Sequence, residues 1–145
     1  MNEAANISST KRWLITVTIM LVTIIELLDM TIVIVAMHAI MGALSADQEQ
    51  ITWIVTAYIV ASAIVILLTG FLTMRFGRRK VLLIAVAGFL LFSVLCGLST
   101  TIVMMVIFRI FQGISGAVFI PTSQTILKSI FPEKDQGLAM PLWAI

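Results

Sequence analysis

Four long apolar runs, separated by short polar stretches, organise the chain. The first extends from Trp13 to about Met37, the second from about Ile51 to Thr73, the third from about Val81 to Leu98 and the fourth from about Thr101 to Leu127. Each is near or above the roughly 20 apolar residues that cross a bilayer as a helix. Lipid cannot satisfy an open strand edge, and no barrel alternation is visible, so every run is predicted helical. The resulting division is 1–12 as an N-terminal segment, 13–37 as the first span, 38–50 as a loop and 51–73 as the second span. It continues with 74–80 as a loop, 81–98 as the third span, 101–127 as the fourth and 128–137 as a further loop. Residues 138–145 turn apolar again, and Leu138, Met140, Leu142, Trp143 and Ile145 read as the opening turns of a fifth span. On this pattern the chain is expected to be the N-terminal part of something larger. Ser45 followed by Gln48 has the spacing of a capping box and predicts the start of the second helix. Trp13, Trp53, Tyr58 and Trp143 lie near run ends, where amphipathic rings favour the membrane interface.

Composition sharpens this to an all-α polytopic membrane protein. Of 145 residues, 61% are hydrophobic and 11% charged, against about 45–50% and about 25% in soluble domains. An ordinary soluble globule, a disordered tail and a disulfide scaffold are excluded, the last because Cys96 stands alone. The net charge of +2 does not mark a nucleic-acid partner, because the basic residues fall in the gaps between apolar runs. With the N-terminus in the cytoplasm, eight of the nine cations lie on the cytoplasmic side: Lys11, Arg12, Arg75, Arg78, Arg79, Lys80, Lys128 and Lys134. The opposite loop, Met41 to Gln50, holds no cation but carries Asp47 and Glu49. That bias predicts an N-in orientation. A signal peptide is the competing reading of the first run, and its length and the three spans that follow argue against it.

The scarce charges within the spans carry the functional signal. Glu26 and Asp29 lie in the first and Arg109 in the fourth. An acid at a helix centre costs roughly 2.5–3.5 kcal/mol on the insertion scale. The fourteen Leu, Ile or Val residues between Trp13 and Ala36 contribute roughly −4 to −8 kcal/mol, so two acids offset most of the drive for insertion. Glu26 and Asp29 share a helix face within the stripe Thr18, Val22, Glu26, Asp29, Val33, expected to face a cavity. Arg109, Gln112, Gly113 and Gly116 share a face of the fourth run, the two glycines suiting close helix approach. At about 1.5 Å per residue, Asp29 lies about 11 Å from the outer end of its span and Arg109 about 12 Å from the same side. An Asp29–Arg109 pair is therefore allowed. A buried structural pair is the bland reading; a proton-coupling or substrate-charge site is the functional one. Glu26 lacks an equally obvious cation, which suits an acid that binds and releases protons. No metal cluster, phosphate-binding loop or nucleophile–base set is visible in the sequence, so no cofactor and no enzymatic activity are expected.

At these residues the sequence resembles the major facilitator superfamily, specifically the fourteen-span drug:proton antiporters of the EmrB/QacA type. Leu28-Asp29-Met30-Thr31-Ile32-Val33 is similar to that family's first-span motif L-D-x-T-I-V-N-V-A-L-P, with Ile34 in place of Asn and His38 in place of Pro. Trp53-Ile54-Val55-Thr56-Ala57-Tyr58 resembles the W-x-x-T-A-Y opening of the second span. Gly70 through Lys80 resembles the cytoplasmic loop signature G-x-L-a-D-r-x-G-r-r/k, carried by Gly70, Arg75, Gly77, Arg78 and Arg79, with Met74 in the Asp position. Arg109-Ile110-Phe111-Gln112-Gly113 resembles the fourth-span R-x-x-Q-G motif.

The resemblance implies a proton-coupled multidrug efflux transporter of the bacterial inner membrane. In it the loop gates the cytoplasmic side, Arg109 takes part in proton coupling, and the first and fourth helices line the central cavity. Its partners would be the bilayer, small lipophilic drug-like substrates, protons and the remaining spans of the full-length protein. The alternatives are a four-span small multidrug resistance exporter, favoured only by Glu26 and by length, and an inert or interaction-only membrane fragment. The segment alone is not expected to transport.

Overall fold

The computed structural model describes residues 8–131, all of whose regular structure is helical. Five helices follow in order: α1 Ser9–Leu44, α2 Gln48–Phe76, α3 Arg78–Gly97, α4 Ile102–Gly116 and α5 Phe119–Ile130. They form four segments long and apolar enough to span a membrane, because α4 and α5 continue one another over Ile102–Ile130. The helices run past the expected apolar limits at most ends, so the connectors shrink. The loop expected at 38–50 reduces to the three residues between Leu44 and Gln48, and the loop expected at 74–80 reduces to Gly77. Polar residues terminate insertion into lipid but do not terminate a helix; Arg75, Arg78, Arg79 and Lys80 are all helical.

The chain turns where local chemistry stops the helical hydrogen-bond ladder. Ser45 adopts a left-handed conformation (φ 50°, ψ 40°) and closes α1. The cap of α2 is then Asp47, whose carboxylate accepts the Gln50 backbone N–H at 2.7 Å. The Gln50 side chain returns to accept the Asp47 N–H at 3.2 Å. The capping box is thus Asp47–Gln50, and the expectation of Ser45–Gln48 is corrected: Ser45 already serves as the end of the preceding helix. Gly77 alone reverses the chain between α2 and α3 with φ 86° and ψ 138°, a region that side chains with a Cβ avoid. Thr101 caps α4 by accepting the Met104 N–H at 3.3 Å.

The fourth span breaks in its middle. Pro121 has no N–H to give the Ala117 carbonyl, and its ring crowds that turn. The ladder stops at Gly116 and resumes at Phe119. Phe89 and Phe119 meet there at 5.2 Å between ring centres, within an apolar cluster that also holds Tyr58, Ala85 and Val118. A second cluster, Val33, Ile51, Ile54 and Met105, ties α1, α2 and α4 near the Ser45 end. α4 packs most extensively on α2 and α3, whereas the α1 backbone stands further from its neighbours. Trp13 packs edge-on against Phe131 at 6.4 Å, joining the start of α1 to the end of α5. The expected fifth-span residues 138–145, Trp143 and most of the loop 128–137 lie outside the described residues.

Because Gly77 is the whole connection, its backbone conformation sets the α2–α3 turn. Gly77→Ala is expected to cost about 1–3 kcal/mol, read as a lowered melting temperature of the detergent-solubilised chain.

Candidate intramembrane charge site

An α1 residue and two α4 residues converge on one carboxylate. The Arg109 guanidinium donates from Nη1 to Asp29 Oδ2 at 2.7 Å. The Gln112 amide donates from Nε2 to Asp29 Oδ1 at 2.9 Å. Spacing explains the convergence: 109 and 112 are three apart and so project from one side of α4. Both oxygens of Asp29 therefore have a donor, one of them charged. The site is secluded, with side-chain exposures of 7% for Arg109 and 13% for Asp29, and Gln112 is fully buried. Gln112 is itself oriented from behind, since the Cys96 thiol of α3 donates to its Oε1 at 3.6 Å. A cleft of about 350 Å³ opens beside the pair, walled mostly by apolar residues such as Ile32, Ile40 and Met105.

The glycines of the same α4 face let α4 come this close. A Cβ added at Gly113 would stand 2.5 Å from the Tyr58 carbonyl oxygen. At Gly116 it would stand 2.7 Å from the Tyr58 hydroxyl and 3.3 Å from the Phe89 ring. Arg109 and Gln112 thus face α1 while Gly113 and Gly116 receive Tyr58 of α2. The sequence had set Tyr58 among interfacial rings; the structure corrects this, burying it to 4% exposure in the α2–α4 crossing. Trp13 and Trp53 are exposed.

Glu26 lies on the same α1 face as Asp29 and is buried, with its Oε2 making no hydrogen bond. Val22 and Met30, one turn to either side of Glu26, pack against the cluster that holds Tyr58, whose hydroxyl also makes no hydrogen bond. The expected inward stripe is right from Val22 onward, Val22 packing against the Tyr58 cluster, but not at Thr18, which is exposed. Thr23, Ile19 and Thr16 are the buried residues about one, two and three turns before Glu26. Two further hydroxyls were not singled out from sequence, Thr122 and Ser123 on α5. Both are fully buried without a partner, unlike Thr16, Thr23 and Thr69, which bond the carbonyl four residues back. Adjacent Thr and Ser just beyond a proline in an apolar run was the available signal.

The candidate gating residues behave differently. Gly70, Arg75, Gly77, Arg78 and Arg79 are exposed at the α2–α3 turn, and Met74 is 83% exposed. A Cβ at Gly70 meets nothing, so of these two glycines only Gly77, through its positive φ, has a conformational reason to be glycine. Among the described residues no group of three or more His, Cys, Asp or Glu is placed to hold a metal ion.

This combination of a first-span acid, a fourth-span Arg-x-x-Gln-Gly and a one-residue basic turn agrees with comparison to known proteins. Residues 19–145 match the family model of the Major Facilitator Superfamily. The chain belongs to this superfamily. Over 131 residues it is 40% identical to the fatty acid resistance protein FarB of Neisseria gonorrhoeae, which covers 90% of this chain and 26% of FarB. It is 37% identical over 132 residues to the multidrug export protein EmrB of Escherichia coli (strain K12), covering 91% of this chain and 26% of EmrB. The probable multidrug resistance protein EmrY of the same organism is 37% identical over 133 residues, covering 92% of this chain and 26% of EmrY. The chain thus spans about a quarter of the length of the curated relatives it matches. No solved structure matches the chain. Membership of the Major Facilitator Superfamily sets aside the four-span small multidrug resistance architecture.

Removing one member of a buried pair leaves the other charge unmatched, which costs more than removing both. Asp29→Asn and Arg109→Gln are each expected to lower the melting temperature more than the double variant does. Additive losses would show that the two side chains do not interact.

Proposed function

We propose that this chain forms part of a proton-coupled multidrug efflux transporter, a drug:proton antiporter of a bacterial inner membrane. The observation that carries the reading is the intramembrane carboxylate of Asp29, held by Arg109 and Gln112 beside a largely apolar cleft. Ionisable groups at membrane depth are expensive and mark proton or ion pathways. The names of relatives, multidrug export protein and fatty acid resistance protein, support export of lipophilic compounds. In the proposed orientation the cytoplasmic end carries the α1 start, the α2–α3 turn and the α5 end, with Lys11, Arg12, Arg75, Arg78, Arg79, Lys80 and Lys128. The opposite end carries Asp47 and Glu49, and this asymmetry supports an N-in arrangement.

The chemistry follows from the donors around Asp29. A charged carboxylate accepts from the Arg109 guanidinium and the Gln112 amide, drawing α1 onto α4. A proton on Asp29 removes the negative charge, weakens both bonds and frees α1 from α4 at mid-membrane. Glu26, about one turn away, provides a second proton-binding acid without a cation bonded to it. Proton binding and release at these acids then bias the balance between inward- and outward-facing states. Arg75, Arg78 and Arg79 form the cytoplasmic gating turn in this scheme, and Gly77 sets its shape. The remaining spans of the complete transporter supply the rest of the substrate pathway.

The test uses the full-length transporter that carries this segment, reconstituted in vesicles with an imposed pH gradient. Asp29→Asn and Glu26→Gln are each expected to abolish proton-driven efflux of a lipophilic dye while the protein remains inserted. Undiminished coupling in both variants would falsify the assignment.

A further inference from the structure

Tyr58 is the residue whose surroundings the proposed coupling leaves unexplained. Two glycines of α4 are shaped to it: Gly113 to its backbone and Gly116 to its hydroxyl, each within 2.7 Å of where a Cβ would stand. Val22 and Met30 of α1, one turn to either side of Glu26, pack against the cluster that holds Tyr58, yet the Tyr58 hydroxyl bonds nothing. Glu26 Oε2, on the same stripe of α1 between them, is also buried and unbonded. A donor and an acceptor, each desolvated and each unsatisfied, are thus carried on adjoining helices whose backbones are only loosely apposed. Leaving two such groups apart is costly, and a small inward movement of α1 joins them.

We infer that Tyr58 is the positioning residue of Glu26, donating a hydrogen bond to its carboxylate when the proton has left and losing that bond when the proton returns. This rests on the proposed role of Glu26 as a proton-binding group. Tyr58 keeps its own proton throughout; the proton exchanged with water is that of the Glu26 carboxyl. The charged groups facing this pair are Asp29 from α1 and Arg109 from α4. α2 contributes Tyr58, α3 presents Cys96 to Gln112, and α5 carries the buried Thr122 and Ser123, with Lys128 further along. Within this set Tyr58 is the donor whose cluster packs against the α1 stripe on either side of Glu26, so its presence favours the charged form of that acid.

The decisive measurement is an infrared titration of the intact chain in lipid bilayers. The carboxylic C=O band of Glu26 is identified by its loss in Glu26→Gln. Tyr58 is the single tyrosine of the chain, so its C–O stretch reports its hydroxyl without any substitution. In the unsubstituted chain the tyrosine band is expected to shift with the same midpoint as the Glu26 band. Tyr58→Phe is expected to move that midpoint toward alkaline pH by about one unit. Gly116→Ala, which pushes the hydroxyl from its seat, is expected to move it the same way. A tyrosine band that does not change while Glu26 titrates overturns the inference, even if Tyr58→Phe fails to fold. So does an unmoved midpoint in a Tyr58→Phe chain with full helicity. None of these readouts depends on transport, so a loss of proton-driven efflux and a loss of Tyr58–Glu26 coupling are separately visible.

Discussion

A carboxylate in the middle of a lipid-spanning helix constrains everything around it. Asp29 must be matched or neutralised, and the match comes from a different helix, eighty residues away along the chain. Its two acceptor oxygens take one charged and one neutral donor. For both donors to reach it, α4 must present positions 109 and 112 toward α1 at the same depth. For α4 to stay in place, the same face must also seat against α2, which is the work of Gly113 and Gly116. The Arg-x-x-Gln-Gly sequence is therefore one mechanical unit: two side chains that reach α1 and, beside them, an absent side chain that allows α2 to approach.

The break between α4 and α5 serves the same arrangement. Pro121 interrupts the ladder between Gly116 and Phe119, and Phe119 packs against Phe89 at the interruption. Thr122 and Ser123 just beyond it are buried with unmet hydroxyls, in a chain whose other threonines mostly bond their own helix. One apolar cluster includes Phe119 at this interruption, and a second lies near Ser45.

The spans and the interior charges were legible in the sequence because both rest on scarcity. An apolar run long enough to cross lipid has few other folds, and Glu26, Asp29 and Arg109 stand out against it. The shared face of Arg109, Gln112, Gly113 and Gly116 followed from spacing alone. Other features depended on three dimensions. Tyr58 sits near the start of an apolar run, which reads as an interface ring; only the glycines of a distant helix show why it is buried. Ser45 and Asp47 both have cap chemistry, and the choice between them was made by where α1 ends. The start of the α1 stripe was misjudged at Thr18 because Thr18 and Thr16 are both satisfied by their own helix. Hydropathy therefore cannot say which of them turns inward.

The central claim is that the charge on Asp29 holds α1 against α4. Spin labels at Leu28 and Ile107, both exposed beside the pair, in a Cys96→Ala background, report the α1–α4 separation directly. Loss of the charge is predicted to increase this separation, so that Asp29→Asn shows a larger α1–α4 distance than the unsubstituted chain at neutral pH, and acidification of the unsubstituted chain moves it toward the Asp29→Asn value. A separation indifferent both to pH and to Asp29→Asn would contradict it.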